Sequence, residues 1–281
     1  DATASAPAVD DLISLKRVAA PAISPDGRSV AYTVRETNWE ENSYETEIWL
    51  ADVATGTRRQ LTNAVKSSSN PVWSPDSSRL AFLSVRAGKR QVYVINPQGG
   101  EAVKLTASEE GIAALAWSPD GKSIAYTQTD AQSESSKERE KKYGEFDVID
   151  QDYRMTHLYV IDVASQENRR LTNGAFTVGR FDWSPDSTRI AFDHRVNTDP
   201  ASGGTADISI VNVGSGVVTP LVTEQGPDAN PAWSPDGREI AFESAMANPS
   251  YFYTNTHVAK IRATGGPIED LSAGFDVDTF V

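Results

Sequence analysis

No cysteine occurs among the 281 residues, which excludes disulfides, thiolate metal sites and a cysteine nucleophile. Histidine is nearly as scarce. His157, His194 and His257 lie far apart in sequence and no pair has metal-ligand spacing. Neither a metal centre nor any other cofactor is therefore expected. Basic residues are too few for a nucleic-acid binder, since 26 Lys and Arg stand against 39 Asp and Glu for a net charge of −13. No stretch approaches the ~18 apolar residues of a membrane helix. A signal peptide is missing too, and the start, Asp1-Ala2-Thr3-Ala4-Ser5-Ala6-Pro7, reads as a mature end left after cleavage. That favours the periplasm or the exterior, with residues 1–9 as a flexible segment.

What the chain has is a repeat. Its core reads Pro21-Ala22-Ile23-Ser24-Pro25-Asp26-Gly27, then Pro71-Val72-Trp73-Ser74-Pro75-Asp76-Ser77. It returns as Leu115 to Gly121, Phe181 to Ser187 and Pro231 to Gly237. A short apolar run follows each time, such as Val30-Ala31-Tyr32 or Ile240-Ala241-Phe242, so the motifs cover 21–32, 71–82, 115–126, 181–192 and 231–242. The repeated aspartates are spaced by 50, 44, 66 and 50 residues.

The chemistry of one repeat gives its shape. Ser-Pro-Asp-Gly suits a tight turn, because Pro presets φ, Ser and Asp accept local backbone bonds, and Gly closes it. The turn joins a strand ending in Trp to a strand holding Ile-Ala-Phe. A third strand follows, such as Leu158 to Val163, and a fourth ends near Leu-Thr, as at Leu61-Thr62 and Leu171-Thr172. The strands are nearly continuously apolar, as expected when both faces are covered. Four antiparallel strands every 45–50 residues or so define an all-β fold, a β-propeller of five blades plus the start of a sixth within residues 10–281. The Trp residues at 73, 117, 183 and 233 are read as packing anchors, with Ile23 as the apolar substitute, and the aspartates as turn residues.

The blades differ mainly in the connection between their second and third strands. These connections leave from one face, which becomes the decorated one. They run from Arg35 to Thr46, Gln128 to Thr156, His194 to Ala206 and Ser244 to Thr256. The insertion at 128–156 is the longest. Ser135 and Glu138 predict a capped short helix ended by Gly144. Beyond it stand Glu145, Asp147, Asp150 and Asp152, followed by Tyr153 and Arg154. The carboxylates would line one side of an extended segment.

Asp11 to Leu15 with Pro21 to Tyr32, the stretch Lys142 to Leu158, and Tyr251-Phe252-Tyr253 resemble the propeller of the prolyl oligopeptidase family, in its acylaminoacyl-peptidase and dipeptidyl-peptidase-like branch. The blade motif itself is shared with TolB-type propellers. The resemblance implies an oligopeptide substrate, reached through a parent serine peptidase, and a C-terminal α/β-hydrolase domain that carries the catalytic serine. It also implies that Glu145, Asp147, Asp150, Asp152, Tyr153 and Arg154 contact substrate. No Gly-x-Ser-x-Gly elbow stands in the 281 residues, so no catalytic residue is expected in them. The segment Asp276 to Val281 aligns with the opening strand of a further blade, which suggests a chain shortened before its catalytic domain. Open blade edges then predict self-association. The alternative is a TolB-type propeller that binds a protein without catalysis.

Overall fold

The computed structural model describes residues 8–64, 66–146 and 152–275. It contains five four-stranded antiparallel sheets, each a blade whose strands follow chain order. The chain divides into two compact units, Asp1–Trp117 and Ser118–Val281.

In the first unit a five-residue helix, α1 (Val9–Ile13), precedes blade one. That blade comprises β1 (Arg17–Ile23), β2 (Ser29–Asn38), β3 (Ser43–Asp52) and β4 (Arg58–Gln60). Blade two holds β5 (Ser68–Trp73), β6 (Leu80–Ser84), β7 (Gln91–Ile95) and β8 (Val103–Lys104), and β9 (Ile112–Trp117) opens blade three. In the second unit blade three continues with β10 (Ser123–Thr129), helix α2 (Glu134–Tyr143), β11 (Thr156–Asp162) and β12 (Asn168–Arg170). Blade four has β13 (Thr177–Trp183), β14 (Arg189–Arg195), β15 (Asp207–Asn212) and β16 (Val218–Val222). Blade five has β17 (Asp228–Trp233), β18 (Glu239–Ser244), β19 (His257–Arg262) and β20 (Glu269–Asp270).

The Ser-Pro-Asp turns are built alike. In blade two Ser74 Oγ donates to Asp76 Oδ1 at 2.6 Å and accepts from Arg79 N at 2.9 Å. The same pair closes the other four turns, from Ser24–Asp26 to Ser234–Asp236. The hydroxyl holds the carboxylate and the carboxylate holds the turn's amides, so every aspartate has a structural duty. The last turn position is left-handed in all five, and two of them carry serine instead of glycine, at φ 60° for both Ser77 and Ser187. Their hydroxyls have a use that glycine lacks. Ser77 Oγ accepts from Asp26 N at 3.1 Å and Ser187 Oγ from Asp120 N at 3.0 Å, so each reaches the turn of the blade before it.

Blade packing follows the apolar pattern. Ala31, Ile48 and Leu50 of blade one bury against Leu80, Phe82, Tyr93 and Ile95 of blade two, around Trp73. Ala191, Ile208 and Ile210 of blade four bury against Ile240, Phe242, Ala259 and Ile261 of blade five, around Trp233. Trp73 Nε1 donates to Ala22 O at 2.9 Å and Trp117 Nε1 to Val72 O at 3.1 Å, so both indoles anchor a blade to the one before. Ile23 departs from its expected role. It is 69% exposed, because no blade in the described residues stands before blade one. The connection expected over Arg35 to Thr46 is also mostly strand, since β2 and β3 pair from Ser29–Asp52 to Asn38–Ser43 and leave only a four-residue tip. Cross-strand pairing of β-branched and aromatic residues, with Arg35 3.9 Å from the Tyr44 ring, extends the hairpin.

Two measurements test the turn. Ser74→Ala removes the pivot of one buried turn and should cost about 1–2 kcal/mol in urea unfolding. The Ser74 and Ser78 hydroxyls hold the Asp76 carboxyl down to about 2, against an ordinary 3.8. A depressed acid stabilises the fold above its unfolded value, so this contribution should be full above pH 5 or so and vanish as pH falls from 4 toward 2. Asp76→Asn should flatten that part of the acid-unfolding profile.

Candidate functional site

In both units a construction recurs at the third strands of blades one, two, three and five. A Thr or Ser hydroxyl after the fourth strand accepts from an amide of the third. Thr62 does so for Ile48, Thr106 for Val92, Thr172 for Leu158 and Ser272 for Val258. The same hydroxyl meets the side chain one residue earlier, which is Glu47, Gln91, His157 or His257. His157 and His257 are thereby accounted for as blade-closing residues. His194 bonds Ser209 Oγ at 2.8 Å and packs against Phe176 and Phe192. Burial lowers the pKa of His157 and His194, so both are neutral at neutral pH.

Blade four breaks this pattern. Asp207 holds the position of Glu47, and Val222 replaces the hydroxyl residue. Burial raises the Asp207 pKa. Nearby, Asp228 opens β17 and is only 2% exposed. Burial first, then Glu224 and Asp207, push it up to about 7, with Ser244 as its opposing hydrogen-bond partner. Its Oδ1 has no hydrogen-bond partner. Blade two shows what is different. There the equivalent residues are Ser68 and Ser84, and Arg86 donates to both, at 3.0 and 3.1 Å. Met246 stands where Arg86 would be, so blade five combines an added acid with a lost cation. Asp193, also pushed up by burial, accepts from Arg180 N and Asn230 N at 3.2 and 3.0 Å. A Cβ on Gly179 would fall 2.0 Å from its Oδ1, which requires glycine there.

The insertion of blade three folds back on its own blade. Helix α2 begins two residues earlier than expected. Ser133 is the N-cap and accepts from Ser136 N, and Glu134–Lys137 is an ion pair on its surface. Gly144 ends it, as read from sequence. Of the expected substrate contacts, Glu145 is exposed. Asp147 and Asp150 lie outside the described residues. Asp152 pairs with Arg139, whose guanidinium also lies 5.7 Å from the Phe146 ring. Arg154 Nε donates to Asp130 O at 3.0 Å, and the Asp130 carboxylate receives Arg170 at 3.0 Å. Tyr153 reaches out of the blade, with its hydroxyl 3.4 Å from Asp199 Oδ2.

Tyr153 thus joins the insertion to the connection of blade four, and Tyr251 joins that connection to blade five. The Tyr251 hydroxyl lies where a side chain on Gly204 would be, 1.8 Å from its Cβ position, and the Tyr251 ring passes 3.6 Å from the Cβ position of Gly226. The three connections meet in one face with Tyr153, Asp199 and Tyr251 along it, and the Asp207–Asp228 pair stands at the adjoining strand ends, with Asp228 buried. Phe252 and Tyr253 project from it, 77% and 91% exposed. Such a face offers carboxylates and phenols to a cationic or hydrogen-bond-donating ligand. Among the described residues no three His, Asp or Glu converge as a metal cluster. The acids of β15 and β17 were missed in sequence because they fall outside the repeated motif; only the substitution of Met246 for an arginine could have flagged them.

Asp228 keeps its proton to about 7 in the fold but loses it near 3.8 when unfolded, so the fold loses stability as pH rises between those values. Asp228→Asn should therefore raise Tm by roughly 3–6 °C at pH 8 and leave it nearly unchanged at pH 4, by calorimetry.

Residues 13–153 match the TolB beta propeller domain family. The chain is 32% identical over 242 residues to the uncharacterized peptidase YuxL of Bacillus subtilis, covering 84% of this chain and 31% of that protein. It is 29% identical over 260 residues to dipeptidyl-peptidase 5 of Porphyromonas gingivalis, covering 83% and 38%. The chain thus spans about a third of the length of these curated relatives. Among solved structures, acylaminoacyl peptidase from Pyrococcus horikoshii superposes with a TM-score of 0.69 at 17% identity, over 94% of this chain and 40% of that one. The propeller domain of the Trilobed protease from Pyrococcus furiosus gives 0.66 at 17% identity, over 95% and 73%. TolB from Acinetobacter baumannii gives 0.53 at 19%, over 94% and 54%. Repeat, blades and family match agree, and the chain belongs to the TolB β-propeller domain family.

Proposed function

We propose that this propeller is the substrate-facing part of a periplasmic or secreted serine peptidase acting on short peptides. The observation that carries the reading is the similarity over most of this chain to proteins named as peptidases, of which it spans about a third. In this reading an α/β-hydrolase domain elsewhere in the polypeptide supplies the serine, and the peptide bond is cleaved through an acyl-enzyme. The propeller sorts and orients the peptide. Glu145, Asp147, Asp150, Asp152, Tyr153 and Arg154 form the contact set on the blade-three insertion. Tyr153 is the best placed of the described ones, because it points away from its own blade toward Asp199. Asp152 and Arg154 act mainly by positioning, since Arg139 and the Asp130 carbonyl engage them.

A second reading has its own support. The exposed Phe252 and Tyr253 and the TolB family match fit a propeller that binds a protein through this face.

Peptidyl chromogenic amides separate the two. The 281-residue chain alone should show no turnover, whereas the polypeptide that includes a Gly-x-Ser-x-Gly domain should cleave them. In that polypeptide Tyr153→Phe should raise KM by about 3–10-fold with kcat within about twofold. Absence of any such domain, or an unchanged KM, would remove the peptidase reading or the role of Tyr153 respectively.

A further inference from the structure

Blade two carries an arginine that blade five lacks, and both blades keep the positions that surround it. Ser68 pairs with Ser84 across β5 and β6, and Asp228 pairs with Ser244 across β17 and β18. In blade two the Arg86 guanidinium donates to both hydroxyls and lies 5.3 Å from the Phe82 ring and 4.8 Å from the Tyr93 ring. Blade five has Phe242 for Phe82 and Ala259 for Tyr93, with Met246 at the position of Arg86. Met246 N donates to Ser244 Oγ at 2.8 Å, as Arg86 N donates to Ser84 Oγ, so the two loops leave their strands alike.

The acceptors of blade five are stronger and the donor is missing. A carboxylate that is 2% exposed replaces the Ser68 hydroxyl. Its Oδ1 is buried without a hydrogen bond, and among the described residues no Lys or Arg acts on it. Two further acids lead to it from outside. Glu224 is exposed, Asp207 is half-buried, and both are close enough to Asp228 to raise its pKa. A row of acids that ends on an unpaired buried oxygen suits an entering cation, because each carboxylate replaces part of the water that the cation sheds. The site lies inside the second unit, at the seam of blades four and five, where Asp228 N donates to Ala206 O at 2.8 Å. Its cover is a single side chain, Met246, which packs on the core that these two blades share. Methionine is unbranched and adaptable, and Ala259 removes the ring that walls this position in blade two.

We propose that this seam is a recognition site for the arginine side chain of a bound peptide, with Asp228 and Ser244 taking its guanidinium as Ser68 and Ser84 take that of Arg86. Met246 swings aside on entry. A planar fork with two parallel N–H groups matches two acceptors on paired strand positions, whereas an ammonium is a point charge without that geometry. The site borders the face that carries Tyr251, whose ring passes 3.6 Å from the Cβ position of Gly226, two residues before Asp228. As a determinant of substrate choice the site rests on the peptidase reading; as a binding site it does not.

Thermal unfolding of the 281-residue chain at pH 8, above the value of about 7 at which Asp228 ionises, reads binding without any catalytic domain. The probe is acetyl-Gly-Arg-Gly-amide at about 10 mM, which has no charged terminus. It is compared with the same peptide carrying citrulline or lysine and with Gly-Gly-Gly-amide, whose amino terminus is free. The arginine peptide should raise Tm by about 2–4 °C and the neutral citrulline peptide by less than about 0.5 °C. Asp228→Asn should abolish the shift while itself raising Tm. Met246→Arg should supply the cation internally, raise Tm without peptide and abolish the shift as well, whereas Met246→Leu should keep it. In a polypeptide that cleaves peptides, Asp228→Asn should raise KM for arginine-bearing substrates by about tenfold and leave that of their citrulline analogues within about twofold. Equal shifts from the arginine and citrulline peptides, or a shift that survives Asp228→Asn, would overturn the proposal. A shift from the lysine or free-amino peptide as large as that from the arginine peptide would overturn the assignment to a guanidinium. Loss of the shift in a longer polypeptide would overturn it in favour of an internal arginine.

Discussion

A sheet that is apolar on both faces is insoluble by itself, and the whole architecture follows from that constraint. Blades one and four lay small and aliphatic side chains on the bulky aliphatic and aromatic ones of blades two and five, so a blade face is completed by its neighbour. Burial is cooperative only if the blades meet in register. The tryptophan indoles set that register in the first unit, by donating to a carbonyl at the end of the preceding blade's first strand. The Ser-Pro-Asp turns complete it at the rim. The hydrophobic contact supplies most of the stability, while the directional bonds select one alignment among several that would bury similar area.

The functional face arises from the same plan. A blade of alternating strands sends its second-to-third connections and its inter-blade connections to one side, and lengthening them does not disturb the packing. Tyr153, Asp199 and Tyr251 lie on three successive connections and are brought together only by that topology. The acids at Asp207 and Asp228 come from positions that in other blades close the strand ends. The candidate face thus differs from the regular repeat both in replaced closing residues and in inserted loops.

The repeat made the fold legible in advance, because turn chemistry and two-sided apolar strands recur five times in the same order. Gly144 as the helix end, the turn aspartates and the buried tryptophans were all readable locally. What escaped was set by neighbours distant in sequence. Ser133 rather than Ser135 caps α2, since the helix start depends on how Asp130 closes against Met155 at the blade end. Ile23 shares the tryptophan position yet lies exposed, because its partner surface is not in its own repeat. The partners of Asp152 and Arg154, Arg139 and Asp130, are 13 and 24 residues away, a pairing that local reading does not supply.

The two left-handed serines carry a consequence for how the blades behave as a set. Where other turns use glycine, Ser77 couples the turn of blade two to that of blade one, and Ser187 couples blade four to blade three. The rim is therefore tied in alternate pairs rather than evenly. In a repeat array, where stability is a sum of unit and nearest-neighbour terms, these two bonds add to the blade-one–blade-two and blade-three–blade-four terms. Blade five, whose turn ends in Gly237, extends no hydroxyl of this kind to blade four; that seam is tied instead along the first strand, where Asn230 N and Trp233 N donate to Asp193 and Asp182 of blade four.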